Sequence, residues 1–414
     1  VARYVWIVSS LQKSDHVVVV GAGLAGWRFV EALRREGFTG ELTLIGEEVH
    51  PPYDRPPLSK QILSGKWELE KAILAKPEQL EAANVQLMLG IQAVGIDVSS
   101  HSVQLSDGSA VQGTHLVIAT GTRARPLAFD SSGSLPTLRN HEDVAEFSET
   151  IDRLGEGDVV VIIGGGFVGA EVATSIKGRG HIPLVLEVAQ RPLQSVVGNE
   201  VSLWLQSLSS DFGIEVRTNQ HIVDVSSTSP GYVVTFDDGS SLEAGAVFAA
   251  VGSALDLDWL AQSGLTIDNG IVVDRDLQAA PGVGAIGDVA RFTWIGPAGE
   301  ELSRMEHWQV AIDHALHLAH FWMTGESLPP MIPYFWSDQY GKKIQMLGNP
   351  RASDEVTMVS GAIDEGKWTA LYSRAGIVTG VVALSQPRAL MLSKVLLEET
   401  TTLEHALVRT PWSS

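Results

Sequence analysis

Val17-Val-Val-Val-Gly21-Ala-Gly23-Leu-Ala-Gly26 is the stretch on which the fold turns. Four β-branched residues run into three glycines spaced GxGxxG, and an amphipathic segment over 24–35 follows at once. This predicts strand, tight turn and helix. Gly21 permits the turn, Gly23 lets the backbone approach a pyrophosphate, and Gly26 lets the helix pack close to the strand. The free N–H groups of the helix start are then available to phosphate. Alone, the pattern also fits a plain strand–turn–helix in which glycine merely ends the strand. The next apolar run, 41–45, ends in Gly46-Glu47-Glu48. Glu47 lies 26 residues beyond Gly21, about where a carboxylate accepts from a ribose hydroxyl. Dinucleotide binding is therefore expected.

The chain repeats this unit. Val159-Val-Val-Ile-Ile-Gly164-Gly-Gly166-Phe-Val-Gly169 has the same glycine spacing, and a helical pattern follows. The next strand, 182–186, ends in Glu187, 23 residues after Gly164. Each unit goes on to a hairpin signal with an Asp-Gly turn, at Asp107-Gly108 and Asp238-Gly239. Each closes with an apolar strand running into glycine, ending at Gly121 and Gly252. Both closing glycines fall 13 residues after the turn glycine. Two related dinucleotide-binding domains are the economical reading. The first is expected to resume after the second, where Gly284-Ala-Ile-Gly287-Asp288 can return to its sheet and bring a carboxylate to the same cofactor. The alternative for Asp288 is a strand-ending residue that caps a helix. Pro329-Pro330 marks a further boundary, beyond which the pattern becomes hairpins and a final helix over 387–397.

Composition narrows the classes. A chain of 414 residues has room for two to four domains, and its 44% hydrophobic content is ordinary for a globular protein. A formal charge of −20 argues against nucleic acid or anionic membrane as partner. No apolar run reaches the length of a membrane span. With no cysteine, the chain has no disulfide, thiolate nucleophile or Cys-ligated cluster. Residues 1–14 precede the first strand and are read as an extension that packs on the surface or is disordered. His314, His317 and His320 fall at three-residue steps on a helical pattern. No acidic or cysteine partner is evident there, and no metal site is expected.

With these motifs in view, the chain resembles the FAD-dependent, NAD(P)H-using ferredoxin reductases of oxygenase systems, the group of putidaredoxin and rhodocoxin reductases. Apoptosis-inducing factor is a more distant relative. The resemblance spans residues 15–412 and rests on Pro52-Tyr-Asp-Arg-Pro-Pro-Leu-Ser-Lys60, Ala119-Thr-Gly121, Gly164–Glu171, Gly287-Asp288, Glu306-His-Trp308 and Phe335-Trp-Ser-Asp-Gln339. It implies an α/β, glutathione-reductase-like fold with two Rossmann-type domains plus a C-terminal α+β interface domain. An FAD domain would occupy 15–125 and 253–328, an inserted NAD domain 126–252, and the interface domain 329–414.

The resemblance also implies residue roles. Gly21, Gly23, Ala25 and Gly26 would lie on the FAD pyrophosphate, and Glu47 on the adenosine ribose. Arg55, Lys60, Ala93, Thr120, Gly121, Arg139, Asp288 and Trp308 would contact other parts of FAD. Gly164, Gly166, Phe167, Val168, Gly169, Glu187 and Gly252 would hold the nicotinamide nucleotide. Without the resemblance, Arg55 reads as a surface charge and Trp308 as plain core. Lys60 would sit beside the flavin, paired with Glu171, where a cation stabilises charge arriving with the electrons. The plain alternative is an ion pair between domains. Glu187, followed by Val188-Ala189-Gln190 with no cation before Arg191, favours NADH over NADPH.

From residue 329 onward the chain carries eight acidic and eight basic residues, so the whole negative charge lies before it. A neutral face repels an acidic [2Fe–2S] ferredoxin least. Docking is expected near Trp336, which the resemblance implies lies over the flavin edge, and near Lys342 and Lys343; the plain alternative for the two lysines is a solvated hairpin. One departure stands out: many relatives carry Gln-Ala-Arg where this chain has His314-Ala315-Leu316, so the usual basic docking residue is missing. The expected activity is cytoplasmic electron transfer from NADH through FAD to a ferredoxin that feeds a haem monooxygenase or Rieske-type dioxygenase. The alternatives are a rubredoxin reductase, an NADH oxidase, or a redox-sensing binding protein like apoptosis-inducing factor.

Overall fold

The structure is a computed structural model that describes residues 11–129, 131, 133–229 and 231–409. The first ten residues of the expected extension lie outside the described residues. Its described end is anchored, because Leu11 is buried and its N–H donates to the Trp322 carbonyl at 2.9 Å.

The described residues gather into two compact units. The first takes in those of Val1–Asp54, Ala72–Arg123 and Leu255–Tyr334. Its six-stranded sheet runs in the order Gln278–Ala280, Val283–Ala285, His115–Ile118, His16–Val20, Glu41–Gly46, Gln86–Leu89. The strands from Val283–Ala285 to Gln86–Leu89 pair in parallel. Val17–Val20 are buried on both faces, as a parallel strand covered on both sides requires. The helix Leu24–Arg35 buries Trp27, Phe29, Val30 and Leu33. It meets the helix Trp308–Thr324, with Phe29 edge-on to Trp322 at 5.6 Å between ring centres. The expected hairpin around Asp107-Gly108 is present as Ser102–Leu105 and Ala110–Gln112, with Ala93–Asp97 added alongside.

The second unit comprises Arg55–Lys71, Ala124–Ala254 and Phe335–Ser414, less the residues not described. Its four-stranded parallel sheet has the order Glu215–Arg217, Ile182–Leu186, Val159–Ile163, Ala246–Ala249. The hairpin around Asp238-Gly239 lies in a separate antiparallel sheet. The C-terminal hairpins form a five-stranded sheet, Tyr334–Gln339, Lys342–Gly348, Ile377–Leu384, Lys367–Arg374, Glu355–Ala362.

One feature differs from expectation. The final helix over 387–397 is two short helices, Pro387–Leu392 and Lys394–Glu398, broken at Ser393, and a third spans Leu403–Val408. The Ser393 hydroxyl donates at 2.6 Å to the Ala389 carbonyl, which also accepts the Ser393 N–H at 3.1 Å, a shared acceptor of the kind that bends helices. The helix Gln194–Asp211 is also interrupted, at Gly198 with φ +77°. There the Val197 carbonyl accepts from the buried Tyr372 hydroxyl at 2.6 Å, so a side chain of the C-terminal sheet satisfies the group that the kink releases. Val197, Val201, Leu205 and Leu208 share one core with Ile344, Trp368 and Val382 of that sheet.

Candidate functional site

Both glycine turns are built by close backbone approach. Gly21 has φ +116°, and a Cβ there would lie 2.3 Å from the Ala119 carbonyl oxygen; one on Gly26 would lie 2.0 Å from the Gly21 oxygen. The second turn repeats the pattern, with 2.4 Å from Gly164 to the Ala250 oxygen and 2.0 Å from Gly169 to the Gly164 oxygen. By contrast, nothing lies within 4 Å of a Cβ built on Gly23 or Gly166, the two helix N-caps. Neither helix has a capping side chain or an acidic residue in its first turn. Each start therefore offers open space and N–H groups with no capping side chain among the described residues, which fits the pyrophosphate of a dinucleotide.

Within the first unit, several expected residues collect at the carbonyl ends of the parallel strands, the edge where such sheets bind ligands. A Cβ on Gly287 would be 3.0 Å from that of Ala25, so the Gly287-Asp288 turn is pressed against the first glycine turn. Trp308 begins its helix and donates its indole N–H to Asp54 at 2.6 Å. Thr120 is exposed and Gly121 has φ +65°, both just past the closing strand, which ends at Ile118. Ala93 is half-buried and follows Ile91, whose N–H donates to the Gly46 carbonyl at 3.1 Å. Glu47 is half-exposed and accepts from Arg123 at 2.7 and 3.2 Å. Its hydrogen bonds hold the Arg123 guanidinium pKa above the ordinary arginine value, and Asp256 adds a further bond at 2.6 Å.

His314 is wholly buried, and its Nδ1 accepts from the Gly287 N–H at 3.2 Å. Burial lowers its pKa to about 3, which keeps the ring neutral and able to accept. The three helical histidines diverge: His317 meets Asp276 at 3.1 Å and His320 meets Glu36 at 3.2 Å. Acidic partners are thus present, supplied from outside the helix where the sequence pattern could not reveal them.

In the second unit, Lys60 lies on the π-helical turn Leu58–Ile62 and Glu171 on the helix Phe167–Gly178. Their side chains are 13% and 7% exposed, and Lys60 Nζ is 2.8 Å from Glu171 Oε2. Such a pair is stable out of water only when its remaining polar sites are filled. Ser59 donates to the same oxygen at 2.6 Å, Ser337 donates to Oε1 at 2.6 Å, and Lys60 also reaches the Pro56 carbonyl at 3.1 Å. Arg55 donates to the Arg139 carbonyl. The Arg139 N–H is held by Asp143 at 2.7 Å, and burial raises the pKa of that carboxyl. Glu187 accepts from the Gly165 N–H at 2.7 Å and the Ala189 N–H at 2.8 Å, which fixes it beside the second turn. Phe167 packs against Phe335 with ring centres 4.5 Å apart and the rings tilted by 51°, and Val168 is exposed. Gly252, with φ +97°, also has open space around it. Trp336 is half-buried on the strand Tyr334–Gln339.

Sequence reasoning did not single out Ser59, Ser337, Asp54 or Arg123. Ser59, Asp54 and Ser337 lie inside motifs that it quoted. Ser337 shares the strand period of two with Phe335, which could have placed both on one face.

Two parallel sheets with a dinucleotide-type glycine turn at the edge of each define an oxidoreductase that brings two nucleotides into one protein. The chain belongs to the pyridine nucleotide-disulphide oxidoreductase family, which residues 15–315 match, and residues 334–413 match the Reductase C-terminal family. It is 34% identical to the ferredoxin–NAD(+) reductase subunit of the benzene 1,2-dioxygenase system of Pseudomonas putida, covering 94% of each chain. It is 32% identical to rhodocoxin reductase of Rhodococcus erythropolis over 92% of this chain and 89% of that one. The fold superposes on putidaredoxin reductase, from its covalent complex with putidaredoxin, with TM-score 0.87 at 30% identity over 94% of both chains. The fold is the expected one of two dinucleotide-binding domains followed by a C-terminal domain. These relatives imply a flavin and NAD(H) as cofactors. Despite the family's name, the chain has no cysteine with which to form a redox disulfide. No helix among the described residues is long and apolar enough to cross a membrane.

Proposed function

We propose that this chain is the reductase of an oxygenase system, moving electrons from NADH through FAD to a [2Fe–2S] ferredoxin in the cytoplasm. The ferredoxin would serve a haem monooxygenase or a Rieske-type dioxygenase. The observation that carries the reading is the buried Lys60–Glu171 pair, in which a helix that begins at a dinucleotide turn meets the turn of the Pro-rich motif.

FAD, when bound, supplies a carrier that accepts electrons as a pair and releases them singly. The chain's own residues then have distinct tasks. The turn at Gly21–Gly26, with Ala25 and the Gly287-Asp288 turn against it, holds the FAD pyrophosphate and ribityl chain. Glu47, Ala93, Thr120, Gly121 and Trp308 extend that cradle, and Arg55 and Arg139 are assigned to FAD as well. Gly164, Gly166, Phe167, Val168, Gly169 and Gly252 receive the nicotinamide nucleotide. Glu187, pre-aimed by two backbone N–H groups, accepts from a ribose 2′-hydroxyl and repels a 2′-phosphate. Lys60 offers a fixed cation to the flavin. Glu171 holds that cation, and three donors leave one of its roughly four acceptor sites, on Oε1, for a nicotinamide carboxamide. Trp336 lies on the exit side, with Lys342 and Lys343 as docking cations. In domain terms, 15–125 with 253–328 binds FAD, 126–252 binds NADH, and 329–414 meets the ferredoxin.

The test is direct. The purified protein should be yellow, release free FAD on heating, and reduce a [2Fe–2S] ferredoxin with NADH well above its rate with oxygen. FMN in the supernatant would overturn the cofactor assignment. Preference for rubredoxin, or dominant oxygen consumption, would establish one of the alternative enzymes. Slow reduction of ferricyanide would point to a sensor.

A further inference from the structure

Glu171 is gripped from a third direction by the C-terminal sheet. Along the strand Tyr334–Gln339 and just beyond it, three successive contacts fall on one stripe of the helix Phe167–Gly178. Phe335 packs against Phe167, Ser337 donates to Glu171, and the Tyr340 N–H donates to the Thr174 hydroxyl at 2.9 Å. On the helix these are residues 167, 171 and 174, a single face. Ser337 is wholly buried, and its own oxygen accepts from Gln339 Nε2 at 3.3 Å, which commits its proton to Glu171. Ser59 and Lys60 both bond Oε2, whereas Oε1 receives Ser337. The serine therefore sets the rotation of the carboxylate and the direction of its remaining acceptor site. Alternation along the strand sends Trp336 to the face opposite Ser337.

We propose that Ser337 is a positioning residue for electron input: it fixes the Glu171 carboxylate against Lys60 and aims Oε1 at the nicotinamide, from the same strand that carries Trp336. The inference rests on Lys60 and Glu171 being the pair that serves nicotinamide and flavin. A hydrogen bond to a buried charged group is stronger than one between neutral partners, so its loss should be visible.

The test uses FAD-loaded protein carrying Ser337→Ala, Glu171→Gln, both together, or Ser337→Thr. Three quantities are read: the rate of FAD reduction at saturating NADH without oxygen, the affinity for NAD+ by calorimetry, and the urea midpoint of unfolding. Ser337→Ala should slow reduction about tenfold. In the Glu171→Gln background the same change should cost less than twofold, and NAD+ affinity and urea midpoint should show the same coupling. Ser337→Thr, which keeps the donor, should recover most of the rate. Equal losses in both backgrounds in all three measurements would overturn the proposal, because lost packing does not depend on the charge at residue 171. A parental rate in Glu171→Gln would instead refute the reading of the ion pair, and the inference with it. A slow Glu171→Gln beside a parental Ser337→Ala would refute the serine alone.

Discussion

Gly21 and Gly164 face the same obstacle, a carbonyl oxygen 2.3 and 2.4 Å from any added Cβ, and Gly26 and Gly169 match at 2.0 Å. The helices that leave these turns diverge. Leu24–Arg35 buries an apolar face that includes Trp27, Phe29 and Leu33. Phe167–Gly178 buries Glu171 and Ser175 among its apolar residues and spends them on polar contacts: Ser175 donates to the Ser59 carbonyl at 2.7 Å. The acidic residues after the second strands differ as well. Glu47 is tied by a half-exposed arginine, Glu187 by two backbone N–H groups. One backbone device thus serves two ends: in the first unit it holds, and in the second it holds and presents charge.

The largest effect should come from filling the turns themselves. A Cβ at 2.0 Å from a backbone oxygen cannot be accommodated by a side-chain shift, so each change should cost more than about 3 kcal/mol locally. Gly26→Ala should abolish FAD retention and lower the soluble yield, measured by the ratio of flavin to protein absorbance. Gly169→Ala should keep its flavin and lose NADH affinity by at least about tenfold. If Gly169→Ala also lost FAD, the two turns would not divide the nucleotides as argued.

The carboxylates come next. Glu187→Ala should weaken NADH by about 1–3 kcal/mol, because a fixed charged acceptor is removed. NADPH should gain relative to NADH. Glu47→Ala should weaken FAD by less than about 1 kcal/mol, since a half-exposed ion pair contributes little. Titration of each variant with its own nucleotide checks the order. An unchanged NADH/NADPH ratio in Glu187→Ala would mean that the backbone-held carboxylate does not meet the ribose.

How much of this was legible follows from the same contrast. The glycine turns, both closing strands and both Asp-Gly hairpins are local: each is written in a few consecutive residues whose backbone needs are strict. The return of Val283–Ala285 to the first sheet was read from one apolar segment ending in Gly-Asp, and it pairs with His115–Ile118. What escaped notice is made of side chains meeting across long separations. Ser337 and Glu171 are 166 residues apart, and Arg123 and Glu47 are 76 apart. Glu36 and Asp276, which face His320 and His317, lie on other segments. The break at Ser393 was missed because apolar spacing continues across it, while the serine hydroxyl bonds locally to the Ala389 carbonyl.

The last expected effect concerns the electron exit. Lys342 and Lys343 open the strand Lys342–Gly348, next to the strand that carries Trp336. Lys343 is 2.7 Å from Asp338, and both side chains are well exposed. Its charge is therefore partly balanced, and Lys342 should contribute the greater share of any attraction to an acidic partner. Reversing both to Glu should slow ferredoxin reduction roughly three- to tenfold at low ionic strength, because rim charges act mainly on association rate. The deficit should shrink toward physiological salt, where screening sets in beyond about 8 Å. Reduction of FAD by NADH should hardly change, since the residues proposed for it lie on the Phe167–Gly178 helix and the Leu58–Ile62 turn. Lys343→Glu alone should fall short of Lys342→Glu. A parental rate in the double variant at low salt would remove these lysines from the docking face. A matching loss in both half-reactions would mean that the substitutions had reached the helix through the strand Tyr334–Gln339.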